Sequence, residues 1–218
     1  MSIYTPRHFN VGDAAAVIRL IGEFPFATLL TPHAGEPVIS HLPLLWRDDH
    51  SSHGALIGHC ARANAHWQQA QGVGSVAIFH GPHAYVSPSW YAEPLKAVPT
   101  WNYATVHAHG VLEPFSDPAD TRDVLDALVQ RFEGSRAAPW TFAMPQRERD
   151  AMIGAIVAFR IRIDRVEAKF KLSQNRSRAD RLGVIDGLAA EPHAESRATA
   201  DWMRTYAIAK GGDADAGG

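Results

Sequence analysis

The chain has 218 residues, 46% apolar and 20% charged, with a formal net charge of −2. That is the composition of a globular protein long enough to bury a real core, and its near-neutral charge gives no general pull toward nucleic acid. The one cysteine, Cys60, rules out an internal disulfide or an all-cysteine metal site and fits a reducing compartment.

No stretch approaches the roughly 18 apolar residues that span a bilayer. The opening MSIYTPRHF lacks the basic and apolar regions of a signal peptide. A cytoplasmic location with no membrane association is expected.

Along the chain, Gly12-Asp13 opens a helical pattern with Val17, Ile18, Ile21 and Phe24 on one side, capped by Asp13 and closed by Pro25. FATLLT (26–31) and VISHLPLLW (38–46) read as strands joined by the turn HAGEP, and RDDHSSHG as a loop tip. Ala55 to His59 is a third strand, Ala61 to Gln71 a short helix, Ser75 to His80 a fourth strand, and Thr100 to Glu113 a long fifth. The Pro- and aromatic-rich stretch between the last two is expected to bend around the sheet rather than cross its middle.

Asp117-Pro118 starts a helix with Val124, Leu125, Leu128, Val129 and Phe132 at helical spacing. Pro145 to Val157 reads as another helix. Phe159, Ile161 and Ile163 then alternate with Arg160, Arg162 and Asp164, a strand with one wet face. It runs into VEAKFKLSQN, two weaker helical stretches and a tail, GGDADAGG, expected to be disordered. Short strands joined by tight turns, with helices inserted late, predict an antiparallel barrel with peripheral helices, an α+β chain. The failure of strand–helix alternation over the first hundred residues disfavours a doubly wound sheet.

Among chemistry-bearing residues, VPTWNYATVHAHG (98–110) puts aromatic and hydrogen-bonding groups on one extended segment, which suits a wall against a flat polar ligand. His107 and His109 share a strand face, but three or four converging ligands are needed for a metal, and no such motif is present. They read as hydrogen-bonding groups, and no metal is expected. There is no GxxxxGK[ST], no GxGxxG and no GxSxG, which removes the P-loop, the dinucleotide fingerprint and the nucleophile elbow, and Gly81-Pro82-His83 reads as a turn and nothing more. GHCARAN (58–64), where a strand gives way to a helix start with Arg62 in its first turn, could cradle a phosphate. Lys169 and Lys171 lie on one strand face. They are either solvated edge lysines or cations facing an anionic ligand, followed by the amides Gln174 and Asn175. The two C-terminal helices make a poor helix-turn-helix, because the second is balanced in charge and carries Trp202, Met203 and Tyr206.

Taken in order, PFATLLT, HLPLL, GHCARANAHW, FHGPHAYVSPSWY, VPTWNYATVHAHG and EAKFKLSQN resemble the FMN-binding negative transcriptional regulators of the PaiB type, from Tyr4 to about Leu188. The resemblance implies the FMN-binding split β-barrel, an antiparallel α+β fold shared more distantly with pyridoxamine phosphate oxidase. It implies a flavin domain over 1–190 with helices inserted at about 117–157, followed by a C-terminal helix and tail over 191–218. Members of that family are typically homodimers with the flavin at the subunit interface.

Carried over by position, Ser40, His41, Leu42, Pro43, Gly58, His59, Arg62 and Asn64 would hold the ring edge and phosphate, Arg62 in the place of the basic phosphate ligand. Ala63 stands where the oxidase pattern has a second basic residue, so Lys169 or Lys171 could share the phosphate. Asn102 and Thr105 could bond the ring's polar edge, although alternation puts Asn102 on the face opposite Trp101, Tyr103 and Thr105. The function implied is that of an FMN-binding regulator with indirect or weak DNA association. The alternative is a flavin-dependent oxidoreductase acting on a small molecule, with Lys169, Lys171 and Gln174 tuning the ring and no catalytic acid evident.

Overall fold

The computed structural model describes residues 3–208. In chain order the elements are α1 (Ala14–Glu23), β1 (Phe26–His33), β2 (Glu36–Pro43), β3 (Leu45–Arg47), β4 (Ala55–Ala61), α2 (His66–Gln69), β5 (Gly74–Val86), β6 (Thr100–Pro114), α3 (Pro118–Glu133), α4 (Gln146–Gly154), β7 (Ile156–Lys171), α5 (Arg178–Ala190) and α6 (Ala194–Met203). A π-helical turn (Arg204–Ile208) extends α6. The strands form one sheet in the order β2-β1-β5-β6-β7-β4-β3. The chain partitions into two compact units, one of residues 21–79 and 107–166, the other of residues 3–20, 80–106 and 167–208.

All seven strands contribute to the first unit. β2 and β3 are the two edges of the strand order, yet only Leu44 separates them in the chain. One residue can join opposite edges only if the sheet curls until those edges meet, which is barrel closure. Leu44 is fully buried, and its N–H donates to the Pro25 carbonyl at 2.9 Å.

The β1–β2 hairpin turns through Ala34 and Gly35, with φ of 47° and 91°, the backbone of a tight primed turn. Its register pairs Leu29 with Ser40 and Thr28 with His41. Period-2 alternation then buries Ala27, Leu29 and Thr31 and leaves Phe26, Thr28, Ile39 and His41 on the other face. The N-cap Asp117 accepts from Ala119 N at 2.7 Å, with Pro118 at the first helical position, so α3 starts where its sequence says it should. Val124 and Leu128 pack with Ile57 and Ala158 in a small core that Leu45 and Phe115 flank.

In the second unit, Phe170 meets Trp202 and Tyr206 edge-on in an aromatic cluster with centroids 5.0–5.2 Å apart, and the Arg19 guanidinium lies over the latter two rings. α5 receives Trp90 on a face made of Gly183 and Gly187. A Cβ at Gly187 would fall 2.4 Å from the indole, and one at Gly183 would fall 2.2 Å from the Trp90 carbonyl oxygen.

Several expectations need correction. The helix expected over 61–71 is a single turn, α2, preceded by a turn at 62–65. The helix expected to reach Val157 stops at Gly154, because Ile156 and Val157 already pair as strand with Ala61 and Cys60. Gly81-Pro82 does not turn the chain out of the sheet. β5 runs on to Val86, and two successive buried residues there shift its alternation by one, as a bulge does. Phe132 is exposed rather than part of the α3 core face. The GGDADAGG tail lies outside the described residues.

Candidate functional site

In the barrel unit, β4 delivers Gly58, His59 and Cys60 into pairing with Phe159, Ala158 and Val157. The phosphate cradle expected just beyond uses its donors within the chain. Arg62 N donates to Ala155 O at 2.8 Å, Asn64 N to Ala61 O at 2.9 Å, and His66 N to Asn64 Oδ1 at 3.0 Å. The Arg62 guanidinium spans to the end of α4, with Nε on Gly154 O at 2.7 Å and Nη2 on Ile156 O at 2.8 Å. These carbonyls would otherwise be orphaned where helix gives way to strand. Arg62 also borders a cavity of about 380 Å³ with Trp67, Thr121, Arg122 and Asp150.

Ser40 and Asn64 belong to a buried polar chain. Asn64 Nδ2 donates to Ser40 Oγ at 3.1 Å, and Ser40 Oγ lies 2.8 Å from His66 Nδ1. His66 Nε2 lies 2.9 Å from Thr31 Oγ1, which is 2.6 Å from Ser75 Oγ. Burial lowers the His66 pKa below its ordinary value, so the ring is neutral. One assignment then satisfies every link: Asn64 donates to Ser40, Ser40 to Nδ1, Nε2–H to Thr31, and Thr31 to Ser75. His66 was not singled out from sequence, where it reads as an ordinary helix residue.

The remaining residues in this unit spread apart. His41 stands exposed, 3.2 Å from Thr28 Oγ1 and stacked with Phe26, while Leu42 and Pro43 are half-buried at the end of the hairpin. His59 keeps a buried Nδ1 without a hydrogen-bond partner, and burial lowers its pKa. Burial likewise pushes the Cys60 thiol up, so it is not a poised nucleophile.

In the second unit, His80, Gly81, His83, Trp101, Tyr103, Ala104 and Thr105 line an open cavity of about 300 Å³. The segment 101–105 therefore does present one wall to a shared space. Trp101 is 54% exposed and meets Tyr85 edge-on and His83 at 6.3 Å. Asn102 turns the opposite way, as alternation requires. It is buried, and its Nδ2 donates to Ser173 Oγ at 2.9 Å and to Met203 Sδ at 3.3 Å. Sequence reasoning undervalued Gly81 and His83 by reading them as a bare turn.

Both lysines have partners within the chain. Lys169 Nζ donates to Tyr4 O at 2.7 Å and sits 5.4 Å from the Tyr4 and Tyr103 ring centres. Lys171 Nζ donates to Thr100 Oγ1 at 2.7 Å and to Trp101 O at 2.5 Å. Burial, followed by the charges of Lys169 and Arg176, lowers the Lys171 pKa. Gln174 closes its own turn, accepting from Leu172 N and donating to Phe170 O, while Asn175 is exposed.

An antiparallel sheet closed through Leu44 and flanked by helices makes this an α+β split-barrel protein. The structure of the flavocytochrome Anf3 from Azotobacter vinelandii shares that fold, with a TM-score of 0.60 at 15% identity over 77% of this chain and 72% of that one. So does the FAD and heme binding protein of Mycobacterium smegmatis, with a TM-score of 0.57 at 18% identity over 74% and 73%. The chain belongs to the family described as "Putative FMN-binding domain", whose model matches residues 3–165. It is 33% identical to the protease synthase and sporulation protein PAI 2 of Bacillus subtilis over 92% of this chain and 96% of that protein.

Proposed function

We propose that this protein binds FMN and acts, as a homodimer, as a regulator of the PaiB type that its sequence resembles. The observation that carries the flavin reading is the aromatic cavity of the second unit. Trp101 and Tyr103 offer flat apolar surface, and Thr105, His80 and His83 offer hydrogen-bonding groups to a heterocycle's polar edge. A volume of about 300 Å³ suits a flat ring system rather than a whole nucleotide. No cation lines it. Lys169, packed on Tyr103, is the nearby positive charge able to meet a phosphate, and it keeps donors beyond the one given to Tyr4. FMN would supply redox chemistry there, while the chain stacks the ring, bonds its edge and sheds water from its face.

The dimer reading draws on exposed apolar surface beside that cavity, where Trp101 and Tyr85 stand open to solvent. A second copy laid over them would enclose a bound ring. Regulation would run through a partner or a weak DNA contact, since the chain's net charge is −2.

The test is a visible spectrum of the purified protein and a titration with FMN and riboflavin, with sedimentation to give the assembly state. A yellow dimer, or tight binding selective for FMN, is the expected result. A monomer that ignores both flavins would sink the reading. Reduction by a nicotinamide with turnover of a substrate would move it to the oxidoreductase class.

A further inference from the structure

The barrel unit holds a cavity that the flavin reading does not use. Its volume is about 380 Å³, and it lies between α3, α4 and the start of β7. Helical spacing sets two of its walls. Pro118, Thr121 and Arg122 share one face of α3, and Asp150, Ile153 and Gly154 share one face of α4. Phe115 and Ala158 line it from the strand side, and both also pack in the small core with Val124 and Leu128. The cavity therefore continues that core toward the surface.

Its polar groups are unevenly spent. Arg122 is exposed and makes no hydrogen bond or ion pair among the described residues. Arg62 gives Nε and Nη2 to the carbonyls of Gly154 and Ile156, which fixes its guanidinium in place and leaves Nη1 over. Thr121 is only 8% exposed, yet its hydroxyl makes no hydrogen bond among the described residues. Asp150, the only carboxylate among the described lining residues, accepts from Gln146 Nε2 at 2.8 Å. Two guanidiniums against one carboxylate leave a single positive charge to be met.

The apolar walls include flat surface. Trp67 donates its Nε1 to Arg62 O at 3.2 Å, which holds the indole in place. Trp67, Phe115 and Ile153 are all half-buried, so each keeps apolar surface that a ligand could cover.

We propose that this cavity binds an aromatic monocarboxylate, with the carboxylate on Arg122, Arg62 in support, and the ring against Trp67 and Phe115. A guanidinium fork pairs with a carboxylate through two parallel hydrogen bonds, and a cavity of this size takes a small ring system. A phosphate dianion fits less well, because Asp150 opposes its second charge and it has no body to cover the apolar walls. No lining residue is shared with the Trp101 cavity.

1-Naphthoate titrated into the full chain, read by calorimetry, tests the site. The wild-type protein binds naphthoate saturably, and binds 1-naphthamide and inorganic phosphate roughly tenfold more weakly or worse. Arg122→Gln, at an exposed and unpaired position, weakens naphthoate by roughly tenfold and leaves Tm unchanged. Ile153→Trp narrows the cavity from α4 and gives a comparable loss. A wild-type protein indifferent to naphthoate overturns the proposal, as does a naphthamide of equal affinity or undiminished binding in either variant. Saturating FMN leaves naphthoate binding unaltered, whereas FMN that displaces it puts the ring in the flavin's own pocket and overturns the second site.

Discussion

Two polar regions of this molecule invite comparison, one around His66 in the barrel unit and one around Trp101 and Tyr91 in the other. In the first, Asn64, Ser40, His66, Thr31 and Ser75 satisfy one another in a closed relay. In the second, an open aromatic cavity lies in the same unit as the buried Tyr91 hydroxyl, which has no partner among the described residues. Polar residues of similar type do opposite work in the two places. A closed relay holds a fold together, while open valences are what a ligand can use.

The sharpest way to break this contrast is His66→Ala. It strands Ser40 and Thr31 in a buried site and leaves a void, so unfolding in urea should show a loss of about 3 kcal/mol. A loss within experimental error would mean the relay is incidental.

Acid should act at the same place. Burial holds the folded-state pKa of His66 below the ordinary value of about 6.5. The stability owed to the neutral ring is complete above the unfolded-state value and is lost as pH falls through the lower folded one. Tm should therefore drop between pH 7 and pH 5, with His59 contributing in the same direction. His66→Gln should flatten the curve, and an unaltered slope would assign the effect elsewhere.

On the open side, Trp101→Ala should weaken FMN roughly tenfold, about 1.4 kcal/mol, with little change in urea stability. Equal affinity in fluorescence titrations would remove the indole from the site. The smallest effect should come from Arg62→Ala. Its guanidinium holds Gly154 O and Ile156 O, so it should cost about 1 kcal/mol of stability and leave FMN affinity untouched. A large loss of FMN binding would restore Arg62 to the phosphate and erase the boundary between the two regions.

Much of the barrel was legible because its signals are local. Alternation marked β6 and β7, and Asp13 and Asp117 announced their helices, the former accepting from Ala15 N at 3.0 Å. Where the reading failed, a distant partner decided. Arg62 looked like a free basic residue because Gly154, which it grips, lies 92 positions on. Gly81-Pro82 spelled a turn, but a bulge absorbs it inside a long strand. Within segment 101–105, period-2 alternation correctly set Asn102 apart from Trp101, Tyr103 and Thr105. Arg181 shares a helix face with Val184, Ile185 and Leu188, all buried, but its residue type gave no sign that it would be buried with them.

Leu44, the residue that joins the two edges of the sheet, also sets an order of assembly. β3 pairs with β4, but β4 must wait for residues 156–162 of β7 before its other side is covered. A ribosome will have made both edges of the barrel long before it makes the strand that closes them. Until then the nascent chain carries unpaired strand edges, and chaperone capture of stalled chains should fall sharply only once β7 has left the exit tunnel.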